Sequence, residues 1–502
     1  MLAARNDKRI IFRIGKNSRD FWIERDERKG KEKLKMREDK ITEAKHVWEQ
    51  LDEGERQVAL AFNERYKEFL SIAKTERETV HFLTSQAWNN GFAPLQDFSR
   101  LKEGDRIYLE GRGKIMAMAI IGSAPLEEGL NIIGAHNDAP RLDLKPKPLY
   151  EEAGLALFKT HYYGGIKKYQ WVAIPLALHG VVVKGNGQVV SLVTGEKEHE
   201  PVFTITDLLP HLAKDQMEKK MSEGISGEAL NILIGGFPVA GREVKERVKK
   251  AMLEYLTRNY GIHEDDFVSA ELEAVPAWPA RDIGFDGSLV GGYGQDDRSS
   301  VFTVLQAILE QKRVNRTTVA LFVDKEEIGS MGNTGMHSVS MVNFIAELAS
   351  RCLPRYSELA LRRILSNSRA LSADVTAGLS PGHQDVMDKY NAPLLGYGVV
   401  ISKYTGARGK SGASDAHPEF VALIRGLFER EGVVWQTGEL GKVDQGGGGT
   451  IAYLMAQHGM DVLDVGVPLL GMHSPFEVAS KLDIYMAYKG FRAFFRDHDQ
   501  QA

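Results

Sequence analysis

Thr317-Thr-Val-Ala-Leu-Phe-Val-Asp324-Lys-Glu-Glu-Ile-Gly329-Ser330 is the stretch on which the reading of this chain turns. Its first seven residues are apolar or β-branched and contain no turn former, the composition of a strand buried on both faces. The run then breaks into Asp324, Lys325, Glu326 and Glu327 and stops at a glycine. Charges placed directly after a buried strand fit the carboxyl end of a strand in an open α/β sheet, where such sheets bind their ligands. Neighbouring side chains at a strand end point different ways. One glutamate can then hold a metal while the other addresses a water. The plain structural reading of the same residues is a solvated charge cluster.

Strand and helix alternate around this stretch. Val301, Val304, Leu305, Ile308 and Leu309 form a helical stripe before it. Val462–Val467 reads as a strand, followed by a helix from Pro475 to about Phe495, with Ser474, Pro475 and Glu477 fitting a capping box. Upstream, short strands are expected near Arg106–Leu109 and Leu130–Ile133. The alternation predicts an α/β protein with a mixed sheet flanked by helices. From about Ile41 to Phe92 the apolar residues Ala44, Val47, Leu51, Val58, Leu60 and Phe62 recur at roughly helical spacing. The stretch 149–275 differs. Two β-branched runs between His179 and Val193 flank Lys184-Gly-Asn-Gly187, a hairpin signal. Helical segments near Ile205–Met221 and Val244–Tyr260 follow. The expected organisation is a discontinuous domain, 1–148 and 276–502, interrupted by a smaller β-rich domain at 149–275, with 1–60 as an N-terminal extension.

A chain of 502 residues exceeds what one core usually serves. Its net charge of -4 argues against a general attraction to nucleic acid. Cys352 is the only cysteine, which excludes an internal disulfide and a multi-cysteine zinc site. The first residues lack a secretory h-region, and no run of about 18 apolar residues could span a bilayer. A cytoplasmic protein without membrane contact is expected. Between Arg5 and Lys40 there are 14 Lys/Arg against 8 Asp/Glu. A solvated arm or mixed-charge helix is the expectation there, over an RNA or membrane contact.

Four further segments place a His, Asp or Glu after an apolar run or beside a glycine turn. Asn131-Ile-Ile-Gly-Ala-His136-Asn-Asp138 offers a ligand with a carboxylate two residues on that can orient an imidazole; alone it also reads as a loop polar pair. Asp296-Asp297-Arg298 opens a helix, as a helix cap or as a carboxylate bridging two cations. Leu371-Ser-Ala-Asp374 is a turn or a ligand. Gly471-Met-His473-Ser474 fixes a histidine before the expected helix start. Two histidines with three or four carboxylates suit zinc sites that retain water.

In that order, His-x-Asp, Asp-Asp-Arg, Asp-x-Glu-Glu-x-Gly-Ser, Ser-Ala-Asp and Met-His-Ser, the chain resembles the aspartyl aminopeptidase family of dinuclear zinc exopeptidases, bacterial members in particular. The similarity runs from about residue 85 to the C-terminus and is most specific at Asp324–Ser330 and Gly471–Ser474. The resemblance implies that His136 and His473 each bind one of two zinc ions, with cobalt or manganese as substitute metals. It implies that Asp296 bridges the pair and that Glu327 and Asp374 each complete one metal. Glu326 would be the general base, and Asp138 would orient a ligand from behind. Leu208-Leu-Pro-His211-Leu looks like the family segment whose histidine reaches a neighbouring subunit's centre; a core or surface role for His211 stays open. Asn137 stands where the family usually has Thr. Asp444-Gln-Gly-Gly-Gly-Gly-Thr450 replaces a less glycine-rich turn and lacks the ending of a phosphate loop.

The implied activity is that of a zinc-dependent aminopeptidase acting on peptide substrates, with a preference for acidic N-terminal residues. Lys403, Arg408 and Lys410 could meet an acidic side chain, or form a solvated basic loop. The implied assembly is a homo-oligomer, a tetrahedral dodecamer, with 149–275 as its oligomerisation domain. Two alternatives fit the same residues. One is a related dinuclear hydrolase, either a tetrahedral-type aminopeptidase of broader specificity or a deacylase. The other is a catalytically silent assembly protein that kept the fold.

Overall fold

Thr318–Val323 is a strand in which all six residues are buried. It sits near the middle of a nine-stranded sheet. The structure is a computed structural model that describes residues 45–241 and 243–496, and the backbone of four short strands before them. Thr318–Val323 runs parallel to Asn131–His136, with His136 opposite Val323. Arg369–Ser372 and then Asp461–Gly466 continue the parallel set. Val399–Ser402 and Trp435–Thr437 complete one edge. Ile115–Ile120, Arg106–Gly111 and Ala93–Pro94 complete the other. Four adjacent parallel strands therefore end on the same side.

The two-residue period of a strand divides the core. Ile132, Val319, Leu321, Ala370 and Val462 pack with Phe344, Ile345 and Leu348 of the helix Ser340–Cys352 and with Ile364 and Leu365 of Glu358–Asn367. The other face carries Gln295–Leu309 and Lys481–Arg496, with Glu53–Ile72 packed on both. Asn131 Nδ2 donates to the Phe494 carbonyl at 3.1 Å and Thr318 Oγ1 to that of Phe495 at 3.2 Å. Phe302 lies within 5.2–5.5 Å, centroid to centroid, of Phe62, Tyr66 and Phe69. Phe302→Ala is expected to cost about 3–5 kcal/mol of stability, the usual loss for a buried aromatic, read by denaturant unfolding.

A six-stranded antiparallel sheet holds Val189–Thr194, Leu176–Val183, Ala270–Pro276, Arg141–Glu152, Leu155–Tyr163 and Ile232–Gly235, in that order. The expected hairpin is present. Val183 pairs with Val189, and Lys184 N–H donates to the Gln188 carbonyl at 2.8 Å. The helix Arg247–Tyr260 packs over this sheet. A third sheet of five short strands includes Leu289–Gly292, Glu477–Ser480 and Pro468–Leu470. Among the described residues no helix is long and apolar enough to cross a membrane.

Several expectations are corrected. The helix expected from Pro475 begins only at Lys481, because Glu477–Ser480 is a buried strand. The Ser474-Pro475-Glu477 pattern is therefore not a helix cap. Gln295–Leu309 has no side-chain cap at its start; Asp296 and Asp297 keep non-helical backbone angles there. The helical pattern of 41–92 includes two long helices, Glu53–Ile72 and Glu76–Asn89, parted where Thr75 and Glu78 form a capping box. Residues 205–221 hold only single turns at Pro210–Leu212, Lys214–Met217 and from Met221. In place of the arm or helix expected near the N-terminus, Arg5–Asn6, Arg9–Ile14, Phe21–Asp26 and Glu32–Lys35 form an antiparallel meander. The β-branched and aromatic residues at 10–14 and 21–23 favour strands.

Candidate metal centre

The parallel strands deliver His136, the Glu326–Glu327 turn and Asp374 to one edge of the sheet, each at or just past a strand end. Asp296 enters from the irregular start of its helix. His473 enters from the loop after Pro468–Leu470, in the left-handed region at φ 64°. Asp296 stands between the imidazoles. Its Oδ1 is 3.1 Å from His136 Nε2 and its Oδ2 3.2 Å from His473 Nε2. Glu327 Oε2 lies 3.4 Å from His473 Nε2, and Asp374 Oδ1 3.9 Å from His136 Nε2. The five residues thus fall into two imidazole–carboxylate groups, candidate half-sites, that share Asp296. Asp297 also comes close to His136 and Asp374. Its Oδ2 already accepts the His136 main-chain N–H at 3.3 Å, which makes it a support for that strand end.

The supports explain why these side chains stay in place. Asp138 Oδ1 accepts Glu326 N–H at 3.1 Å, and its Oδ2 accepts Glu327 N–H at 3.2 Å and the Tyr163 hydroxyl at 2.7 Å. One buried carboxylate therefore fixes the glutamate turn. Its main-chain carbonyl faces His136 Nδ1 at 3.1 Å. Glu477 accepts His473 N–H at 2.7 Å and Asp296 N–H at 3.1 Å. His473 Nδ1 faces the Gly165 carbonyl at 2.9 Å.

Those contacts decide what the centre can bind. A carbonyl oxygen only accepts, so each Nδ1 carries a proton and each Nε2 is left facing a carboxylate oxygen. Two acceptors at that distance need positive charge between them. Without a metal the demand falls on protons. Burial pushes the His136 imidazole down, but Asp138 and Asp296 hold it well above its ordinary range. Burial also lowers His473, yet Asp296 and then Glu327 raise it to about 10. Burial first, with Asp296 adding repulsion, lifts Glu327 well above the carboxylate range; burial and Asp297 do the same to Asp374. Glu327 Oε1 is buried with no hydrogen-bond partner among the described residues. Buried carboxylates and Nε2 edges aimed at one point fit divalent zinc, which takes nitrogen and oxygen ligands. Glu76, Glu271 and Glu273 also lie together, but Lys114, Arg141 and Arg77 neutralise them.

The centre opens into a cavity of about 540 Å³. Glu326 lines it half-buried, with its carboxyl pushed by burial to about 7, His136 opposing the rise and Asp296 adding to it. Arg408, Lys410, Lys442 and Gly446–Gly449 also line it. Lys403 is not part of that lining; it pairs with Asp415 at 3.0 Å, and Lys410 pairs with the same carboxylate at 3.2 Å. Asn137 points away and donates to the Lys114 carbonyl at 2.8 Å. His211 lies exposed on its turn and does not line the cavity. Tyr163 and Gly165 belong to the centre but carry no sequence signal, because each acts through a tertiary contact; Glu477, read from the sequence as a capping residue, instead accepts the His473 and Asp296 N–H groups.

The profile of a family described as "Aminopeptidase I zinc metalloprotease (M18)" matches residues 69–495. A "Probable M18 family aminopeptidase 1" from Clostridium acetobutylicum is 50% identical over 466 residues, covering 92% of this chain and 100% of that protein. Its counterpart from Thermotoga maritima is 47% identical over 452 residues, covering 90% of this chain and 98% of its own. The crystal structure of an M18-family aminopeptidase from Thermotoga maritima superposes with a TM-score of 0.88 at 47% identity, covering 91% of this chain and 100% of that one. The yeast structure described as the "mApe1 dodecamer" shares the fold at 21% identity and a TM-score of 0.70, covering 88% of this chain and 97% of that one.

Proposed function

This chain belongs to the M18 family of zinc metalloprotease aminopeptidases, and from that membership we propose that it works with two zinc ions per subunit. His136 and Asp374 would hold one ion and His473 and Glu327 the other, with Asp296 common to both. The carrying observation is Asp296, whose two oxygens each face an imidazole Nε2 at 3.1 and 3.2 Å. Zinc, when bound, supplies Lewis-acid polarisation of the scissile carbonyl and a more acidic water. Glu326 takes the proton of the attacking water and delivers it to the leaving amine. Asp138 holds the turn that aims Glu326. Elemental analysis of the purified protein should give two zinc per chain, as in two-metal hydrolases. His473→Ala should lose at least one of them. A full zinc complement in that variant would remove His473 from the ligand set.

The residue taken from the substrate is proposed to be acidic. Arg408, Lys410 and Lys442 bring positive charge to the cavity that holds Glu326. One observation favours broader specificity, since Asp415 already pairs with both Lys403 and Lys410. A panel of aminoacyl amides separates the two: at least tenfold higher kcat/KM for Asp and Glu than for Leu or Ala is expected. Equal rates across the panel would sink the acidic reading. Assembly is proposed to be a homo-oligomer, a tetrahedral dodecamer, with 149–275 as the inserted oligomerisation unit. Leu208, Leu209 and Leu212 stand more than half exposed around His211, as expected of a segment that meets a second copy and carries His211 to its centre.

A further inference from the structure

The six-stranded sheet reaches the metal centre through one short turn. Its strand Leu155–Tyr163 ends there, and the chain continues Tyr163-Gly164-Gly165. Tyr163 donates its hydroxyl to Asp138 Oδ2 at 2.7 Å, behind the His136 half-site. Two residues on, the Gly165 carbonyl meets His473 Nδ1 at 2.9 Å, behind the other half-site. Gly164 lies between them at φ 75°, a conformation that disfavours any side chain. A Cβ on it would stand 3.2 Å from Glu327 Oε2 and 3.3 Å from Glu327 Cβ. Three consecutive residues thus touch Asp138, the support behind His136, and pack against two proposed ligands, Glu327 and His473.

The turn is braced from outside. The Arg141 guanidinium lies 3.9 Å over the Tyr163 ring. Arg141 is itself buried and held by Glu76 at 3.2 Å, Asp143 at 2.8 Å and Glu273 at 3.3 Å. A buried arginine with three carboxylate partners has little freedom, so the ring beneath it has little as well. Burial first, and then Asp138, raise the Tyr163 phenol, which keeps its proton and remains a donor.

We infer that Tyr163-Gly164-Gly165 is a clamp, built on the second sheet and locked by Arg141, that positions Asp138 and His473 and so sets the zinc affinity of both half-sites. Tyr163 acts through Asp138, which is hydrogen-bonded to the Glu326–Glu327 turn, and is a positioning residue. Loss of such a support behind a ligand typically costs 10–100-fold in metal affinity or activity. The inference rests on the ligand assignment above, and the test keeps the two apart.

Tyr163→Phe, Gly164→Ala, Tyr162→Phe and His473→Ala are compared in the full chain. The measurements are zinc dissociation constants by competition with a chromophoric chelator, melting temperature of the zinc-free protein, and kcat and KM separately. Tyr163→Phe keeps the ring under Arg141 and loses only the hydroxyl. Its zinc affinity is expected to fall at least tenfold and its kcat by a similar factor, with KM within twofold. Its zinc-free melting temperature should match the wild type. Gly164→Ala should weaken zinc at least as much, because the new methyl presses on Glu327. Tyr162→Phe, on an exposed neighbour of the same strand, should behave as wild type. Wild-type zinc affinity in Tyr163→Phe overturns the clamp, and so does a drop in zinc-free melting temperature unaccompanied by weaker zinc binding. Undiminished zinc in His473→Ala overturns the ligand assignment instead.

Discussion

Glu326→Gln is expected to keep both zinc ions and its fold while turnover falls about 10³-fold, within the range for loss of a general acid–base group. The two glutamates occupy different places. Glu327 Oε2 is 3.4 Å from His473 Nε2, inside the centre. Both glutamates line the cavity, and Glu326 makes no such pairing with an imidazole among the described residues. Their main-chain N–H groups are both held by Asp138, so the turn does not depend on the Glu326 carboxyl. A glutamine there has almost the same shape and cannot accept a proton. Burial brings the Glu326 carboxyl near 7, where a base can both take and return a proton at neutral pH. Bound zinc would draw that value down again and keep the carboxylate ionised. Steady-state kinetics with matched zinc analysis tests this. The loss should fall on kcat, since Glu326 acts on the water in the transition state. Turnover within threefold of wild type would exclude Glu326 as the base.

The positions of His136, Glu327 and Asp374 were legible because strand ends have a sequence signature, whereas Asp296 sits at a helix start and His473 in a loop. Apolar runs at Leu130–Ile133 and Thr317–Val323 stop abruptly at His136 and at Glu326–Glu327, and a parallel sheet brings such ends together. Asp374 was weaker, since Arg369–Ser372 is a strand of only four residues and gives little periodic pattern. The Glu477 region misled for a physical reason. Ser474-Pro475-Phe476-Glu477 has the composition of a helix start, yet Glu477 faces inward and receives two main-chain N–H groups beside His473 and Asp296. A buried carboxylate with such donors and an exposed capping glutamate are the same letter in a sequence. Tyr163 and Gly165 were illegible for a related reason. They lie 25 and 308 residues from the partners they hold, and only the paired sheets create those contacts. The helical reading of 205–221 failed where local propensity had no packed face to support it, and Leu208, Leu209, Leu212, Met217 and Met221 are all exposed. The fold class needed only alternation, which tolerates such local errors.

Removing zinc is expected to abolish activity and also to lower the melting temperature. The second effect separates a metal centre from an inert acidic cluster. Asp296, Asp297, Glu326, Glu327 and Asp374 converge on a largely buried volume with two imidazoles as counter-charge. Burying that many carboxylates is costly, and protons are poor substitutes for divalent cations in offsetting it. The sign follows from linkage: zinc binds the folded chain and not the unfolded one, so each occupied site adds stability. At free zinc about 1,000 times the dissociation constant, that gain is about 4 kcal/mol per site. A chelated sample should therefore melt several degrees lower and recover both melting temperature and activity when zinc is restored. Asp296→Asn makes the test specific. Asparagine presents one oxygen where Asp296 presents two, so it cannot serve both half-sites. Its zinc-dependent rise in melting temperature should be clearly smaller than that of the wild type, and its activity should not return. A zinc-dependent rise in melting temperature as large as that of the wild type would show that Asp296 does not bridge the two half-sites.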